Sequence, residues 1–216
     1  MVWKLALPLL FCVSVSAEPM RVLCIGDSIT QGGRKDRAEL TYRLPLQQML
    51  KALRPVDFIG TQRAGLDGFP WPVTFDPDHE SYYGETTEQV RERLVAALPR
   101  IAPPDVVLIH LGTNDRGWSN VTRKPLKAII RLLRTRNPDV AVLVADPPLR
   151  GIHGWWVRQA VRAAVREMAT AQSPVILVRE PANWSAVDTF DGVHPNERGQ
   201  VRQAAQWMTA IAALGR

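Results

Sequence analysis

Cysteine is almost missing from this chain. Only Cys12 and Cys24 occur among its 216 residues, so no disulfide framework is available and a hydrophobic core must hold the fold. Long apolar runs are missing too. The most apolar stretch, Leu5–Val15, falls short of the about 20 residues that span a bilayer. There are no internal repeats or low-complexity tracts, which excludes solenoids and linker-like segments. No glycine-rich phosphate loop follows the first strand, so no flavin or nucleotide site is expected. No basic stripe alternates with aromatic residues, so no nucleic-acid surface is expected either. No cluster of ligand-type side chains has metal-site spacing. The acidic residues Asp76, Asp78 and Glu80 read as a solvated loop rather than a calcium site. The expectation is an absence of both cofactor and metal.

What is present is the composition of an ordinary globular domain. Hydrophobic residues make up 46% and charged residues 22%, and the length suits one domain with a full core. The net charge is +6. Many arginines fall on predicted helix faces (Arg158, Arg162 and Arg166). They read first as a solvated surface and second as an attraction to acidic polysaccharide.

Residues 1–17 stand apart. Lys4 is a positive start, Leu5–Val15 an apolar segment of signal-peptide length, and Val15-Ser16-Ala17 a small-residue cleavage site. A signal peptide cut after Ala17 is expected, leaving residues 18–216 as one secreted or periplasmic domain. Cleavage removes Cys12. Cys24 stays, inside a strand run, and reads as an inert core thiol.

The chain then alternates strand and helix signals. Val22–Ile25 is a short apolar run ending at Gly26, the signature of a buried parallel strand. Helix period follows within Ala38–Leu53, with a start near Pro45. A strand is expected over Val56–Thr61. Gln62–Gly84 reads as a long loop, rich in glycine, proline and aspartate. Thr86 or Thr87 can cap the next helix, which faces inward through Val90, Leu94 and Leu98. Strands Asp105–Leu111, Val140–Ala145 and Pro174–Val178 alternate with helices that present Leu126, Ile129 and Leu133, then Val157, Val161 and Val165. The last helix presents Val201, Ala204, Met208 and Ile211. This alternation predicts an α/β fold: one flavodoxin-like α/β/α domain with a five-stranded parallel sheet in the order 2-1-3-4-5.

In such sheets, ligands meet the carboxyl ends of the strands. Three loops there carry residues of catalytic type. Ser28 follows the first strand, Asn114 follows Asp105–Leu111, and Asp191 and His194 lie in the last loop. A hydroxyl needs an adjacent base to act as a nucleophile. Asp-x-x-His can place a carboxylate against one ring nitrogen and leave the other for a serine. Asp27 and Asp115 read as turn or cap carboxylates, His110 as a satisfied core histidine, and His79 and His153 as loop residues without a role.

Gly26-Asp27-Ser28-Ile29, Gly84, Gly112-Thr113-Asn114-Asp115 and Asp191-Gly192-Val193-His194-Pro195 resemble the four blocks of the SGNH, or GDSL, hydrolases. The resemblance runs from Arg21 to the last helix. It implies Ser28 as nucleophile, His194 as general base and Asp191 as its orienter. It also implies an oxyanion hole from the Ser28 and Gly84 backbone N–H groups and the Asn114 amide. Phe75-Asp76-Pro77-Asp78-His79-Glu80 is similar to the pattern of carbohydrate esterase family 3, which includes acetylxylan esterases. That pattern has glycine where Ser81 stands and tryptophan where Glu85 stands.

The expected function is an esterase that removes acetyl groups from carbohydrate esters. The alternatives are a lysophospholipase or short-chain thioesterase of the same superfamily, and a non-catalytic carbohydrate-binding scaffold. The long loops are polar with isolated aromatics rather than apolar lids. Trp71, Tyr82, Tyr83 and Trp118 are the candidates for stacking on a sugar, with Trp155 and Trp156 near the same edge. The expected partner is a small-molecule or polysaccharide ester. Asn120-Val121-Thr122 and Asn183-Trp184-Ser185 are glycosylation sequons.

Overall fold

The computed structural model describes residues 18–37 and 39–215; the expected signal peptide lies outside them. Six strands form one parallel sheet: β1 (Met20–Gly26), β2 (Val56–Ile59), β3 (Glu80–Ser81), β4 (Val106–His110), β5 (Ala141–Ala145) and β6 (Val175–Val178). The path is β2-β1-β4-β5-β6, and β3 pairs with β1. β2 runs beside Met20–Leu23 and β3 beside Ile25–Gly26. So β3 takes over the edge of β1 where β2 ends. Without β3 the order is the expected one. The sixth strand lies inside the segment read as an irregular loop, because two residues are too few to show a period.

Alternation along each strand sends neighbouring side chains to opposite faces. Leu23, Ile25, Val107, Ile109, Val142 and Val144 enter one core, and Val22, Cys24, Val106, Leu108, Ala141 and Leu143 the other. Helices α3 (Thr87–Ala97), α4 (Asn120–Arg136) and α5 (Gly151–Met168) cover the first face. Helices α2 (Arg43–Lys51) and α6 (Glu197–Ala212) cover the second. The result is the expected three-layer α/β/α arrangement. Cys24 is fully buried, and burial pushes its thiol up to about 12, which makes it inert.

The helix boundaries have local causes. α2 starts two residues before Pro45, whose missing N–H costs nothing in a first turn. Thr86 caps α3 in a reciprocal pairing with Gln89. α4 begins at Asn120 and carries Pro125 inside it, so the loop after β4 ends earlier than Pro125. Trp155 and Trp156 lie on α5.

Segment 62–84 is not loose. Gln62 and His79 exchange backbone hydrogen bonds at 3.0 and 2.9 Å. His79 is fully buried, which corrects its reading as a loop residue without a role. Its Nδ1 accepts from the Ser81 N–H at 3.1 Å and contacts Ser81 Oγ at 2.7 Å, and Nε2 contacts the Ala64 carbonyl at 3.3 Å. These partners assign the neutral tautomer with its proton on Nε2. Burial holds the group well below the ordinary histidine range. Ser81, where the related pattern has glycine, thus has a buried partner for its hydroxyl.

Arg43 bolts this segment to the turn after β1, and nothing in the sequence pattern had marked it. The side chain is fully buried. Nε donates to the Thr30 carbonyl at 2.9 Å and Nη2 to the Gln31 carbonyl at 3.3 Å. Nη1 donates to the Pro77 and Asp78 carbonyls at 2.8 and 3.4 Å. Its guanidinium carbon stands 5.2 Å from the Phe75 ring and 5.7 Å from the Trp71 ring. Burial lowers it to about 10, still far above neutrality, so a charged group is buried among carbonyl oxygens. Arg43→Met is expected to destabilise the protein by more than about 3 kcal/mol, since it strips buried carbonyls of their donors. Chemical denaturation checks this, and a loss below about 1 kcal/mol would show that water replaces the guanidinium at little cost.

Candidate active site

Ser28 opens the single helical turn α1 (Ser28–Gln31) at the carboxyl end of β1. Asp27 caps that turn, its Oδ1 accepting the Ile29 N–H at 3.0 Å. Gly26 permits the sharp reversal: a Cβ there would lie 2.1 Å from Thr30 Oγ1 and 2.9 Å from the His110 carbonyl. The hydroxyl of Ser28 meets His194 Nε2 at 3.0 Å. On the far side of the ring, Nδ1 stands 2.8 Å from Asp191 Oδ2. Asp191 is itself fixed by its own loop, Oδ1 accepting the N–H groups of Val193 at 3.1 Å and His194 at 2.8 Å. The loop closes through the Phe190 N–H on the His194 carbonyl at 2.8 Å. Below it, buried Asp188 pairs with Arg202 at 2.7 Å and accepts the Ser185 N–H at 3.0 Å.

The expected oxyanion donors come from three loops that the structure ties together. Tyr82 N–H donates to the Gly26 carbonyl at 3.0 Å, joining segment 62–84 to the end of β1. Gly84 is exposed at φ +78°, and a Cβ there would touch nothing. Glycine is needed there for the left-handed backbone alone. Asn114 Nδ2 donates to the Glu85 carbonyl at 3.0 Å, which holds its amide beside the Gly84 turn and leaves one N–H for another acceptor. Glu85, where the related pattern has tryptophan, pairs with Arg93 Nε at 2.6 Å. Asp115 is a buried clasp: it accepts the Thr87 N–H at 2.8 Å, the Thr87 hydroxyl at 2.7 Å and the Thr122 hydroxyl at 2.5 Å.

The aromatic candidates separate. Trp71 packs within its segment against Phe69 and Phe75 and donates Nε1 to the Arg63 carbonyl at 3.0 Å. Tyr82 packs against the core under α3, hydrogen-bonds Glu80, and lies 4.6 Å from the Arg93 guanidinium. Both side chains are half-buried and engaged in packing. Tyr83 lies over His194, ring centroids 5.5 Å apart and planes 14° apart. The imidazole covers one face of the Tyr83 ring. Trp118 is 72% exposed and meets Trp156 edge-on, and Trp155 packs on Trp156.

Two buried titratable groups lie next to the site. Asp27 is fully buried, with Oδ2 lacking a hydrogen bond of normal geometry. Burial pushes its carboxyl up to about 7 against the pull of the Ile29 N–H, and the nearby Asp115 charge adds to the rise. His110 is buried at the end of β4, and burial lowers it to about 4. Its Nδ1 has no hydrogen-bond partner, which corrects its reading as a satisfied core histidine. Among the described residues, no group of three or more His, Cys, Asp or Glu is placed to hold a metal ion. None of the described helices is long and apolar enough to cross a membrane.

The parallel α/β/α fold, with a serine, a histidine and an aspartate at its carboxyl edge, defines an SGNH-type carboxylic ester hydrolase. The chain belongs to the GDSL-like Lipase/Acylhydrolase family, whose model matches residues 24–202. It is similar to a carbohydrate esterase family 3 structure from Talaromyces cellulolyticus, with 26% identity and a TM-score of 0.76 over 90% of this chain and 97% of that one. An acetyl esterase mutant with acetate ion is similar at 26% identity and a TM-score of 0.75, covering 90% of this chain and 97% of that one. A multidomain esterase of Ruminococcus flavefaciens is 25% identical over 92% of this chain, which spans only 29% of that relative's length.

The buried Asp27 carboxyl gives a pH test. Folding raises it from an ordinary 3.8 to about 7, so the folded state holds the proton more tightly. Its contribution to stability is complete below about pH 4 and is lost as pH rises towards 7. Lowered His110 works in the opposite sense, losing stability as pH falls below 6.5, so the comparison is made between proteins. Asp27→Asn keeps an acceptor for the Ile29 N–H. Relative to wild type, it is expected to gain thermal stability steadily from pH 4.5 to 7.5. Parallel melting curves for the two proteins across that range would contradict the assignment.

Proposed function

We propose that the protein is a secreted esterase that removes acetyl groups from carbohydrate esters through an acyl-enzyme on Ser28. The single observation that carries this is the continuous chain from Ser28 Oγ to His194 Nε2 at 3.0 Å and from Nδ1 to Asp191 Oδ2 at 2.8 Å. Asp191 accepts a hydrogen bond from Nδ1–H, which keeps the proton on that nitrogen and leaves Nε2 as the acceptor that faces the hydroxyl. Ser28 Oγ attacks the ester carbonyl as Nε2 takes its proton. The tetrahedral oxyanion is met by the Ser28 and Gly84 N–H groups and the free N–H of Asn114, donors held in place before the charge develops. His194 then protonates the leaving oxygen, and water repeats the cycle on the acyl-enzyme.

Support for a short acyl group and a sugar alcohol comes from the similar carbohydrate and acetyl esterases. The polar character of Gln31, Arg34, Tyr83 and Asn114 around the serine agrees with them. Support for secretion is the Lys4, Leu5–Val15 and Ala17 pattern at the start of the chain. A second reading, lysophospholipase or short-chain thioesterase, draws on Phe190 and Val193, which are exposed on the loop that carries His194.

Ser28→Ala and His194→Ala are each expected to abolish nearly all esterase activity without unfolding the protein. The double variant should be no worse than either single one, because the two groups act as a unit. Additive losses, or more than a few per cent of activity in Ser28→Ala, would remove Ser28 from the mechanism.

The substrate is tested by kcat/KM on p-nitrophenyl acetate, butyrate and octanoate, followed by acetate release from acetylated xylan. A steep fall from acetate to octanoate is expected. An extended apolar groove would instead add up to about 0.8 kcal/mol of binding per methylene, and octanoate matching acetate would favour the lipid or thioester reading.

A further inference from the structure

We propose that the Tyr83 hydroxyl and the Arg34 guanidinium form a subsite for the leaving alcohol, one that selects esters with a hydroxyl on the carbon next to the ester-bearing carbon. This rests on the reading of Ser28 and His194 as nucleophile and base. His194 Nε2 has two hydroxyl neighbours, Ser28 Oγ at 3.0 Å and Tyr83 Oη at 3.2 Å. With the Nδ1 proton directed at Asp191, Nε2 is an acceptor only. Arg34 is a donor only. It forms a two-point pairing with Asp36, at 3.0 and 2.6 Å, and its guanidinium lies near the Tyr83 hydroxyl, close enough for the two to interact. The phenol proton therefore points to Nε2, and its oxygen is left to face the nearby positive charge of Arg34.

This arrangement occupies the place where the leaving group has to arrive. When the tetrahedral intermediate collapses, the acyl C–O bond breaks and its electron pair goes to the leaving oxygen. The proton on Nε2 neutralises that oxygen, which must lie within about 3.2 Å of the nitrogen. Tyr83 keeps its proton throughout. Ser28 Oγ holds one approach to Nε2 and Tyr83 Oη the other, while the Tyr83 ring covers a face of the imidazole. The leaving oxygen thus enters beside the phenol. A hydroxyl on the adjacent carbon then lies within reach of the Tyr83 O–H and the Arg34 N–H groups. A leaving group without it displaces the phenol from Nε2 and offers both donors nothing in return, the situation in which a polar site rejects an analogue. The anchor is rigid: the Tyr83 N–H donates to Gln31 Oε1 at 2.7 Å, within the turn that carries Ser28.

The test compares two esters that differ by one hydroxyl, 2-hydroxyethyl acetate and ethyl acetate. The wild-type protein is expected to favour the hydroxyethyl ester in kcat/KM by about tenfold, the worth of one hydrogen bond in a half-exposed site. Tyr83→Phe, which keeps the ring, and Arg34→Met are each expected to bring the ratio close to one, chiefly through a higher KM for the hydroxyethyl ester. A wild-type ratio near one overturns the proposal. So does a ratio that survives in both variants. Equal losses on both esters also overturn it, because they would mean that Tyr83 only steadies the imidazole. Thermal melting verifies that both variants are folded. Failure of the carbohydrate reading shows separately, as a wild-type protein that prefers the hydroxyethyl ester yet releases no acetate from acetylated xylan.

Discussion

The structure depends on one buried cation. Arg43 enters the protein interior and spreads its donors over the carbonyls of Thr30, Gln31, Pro77 and Asp78. Two of these lie in the turn of Ser28, and two lie in the segment that leads to Gly84. A chain with no disulfide to close that segment uses a guanidinium instead, whose fixed fork suits several carbonyls at once. The aromatic rings of Trp71 and Phe75 shield it. The spacing between the Ser28 turn and the Gly84 turn is thereby set by a side chain that belongs to neither.

The second layer of control is a set of buried carboxylates that hold loops rather than react. Asp27 caps the serine turn, Asp115 clasps the starts of α3 and α4, and Asp188 anchors the chain ahead of the histidine loop. Their carboxylates accept from backbone N–H groups and hydroxyls, and Asp188 also from Arg202, in places water does not reach. This is why the loops at the carboxyl edge of the sheet keep their spacing. Asp191 is the exception. It is exposed and turned to the imidazole.

Much of this was legible beforehand. The strands of a parallel sheet are buried on both faces, so they read as apolar runs, and the helices between them keep a 3.6 period. The layers and the joint position of Ser28, Asn114, Asp191 and His194 at one edge follow from that alternation, and the strand order was matched by analogy with the flavodoxin-like arrangement. What was not legible has a common cause. β3 is two residues long, His79 and Arg43 are polar residues in the core, and the start of α4 lies on polar residues ahead of Pro125. Periodicity registers apolar residues only, so elements held by polar contacts escape it.

The sequence by itself determined the five longer strands, the helices between them and the types of group that face the crevice, because hydrophobic alternation and chain order constrain those directly. Only the tertiary structure decided which groups touch. Tyr83 reads in sequence as one of several loop aromatics, and nothing in the sequence singles out Arg34. Contact with His194 lies 111 residues away along the chain. No local pattern encodes a distance of that kind; it is set by how the segment held by Arg43 folds back onto the end of β1.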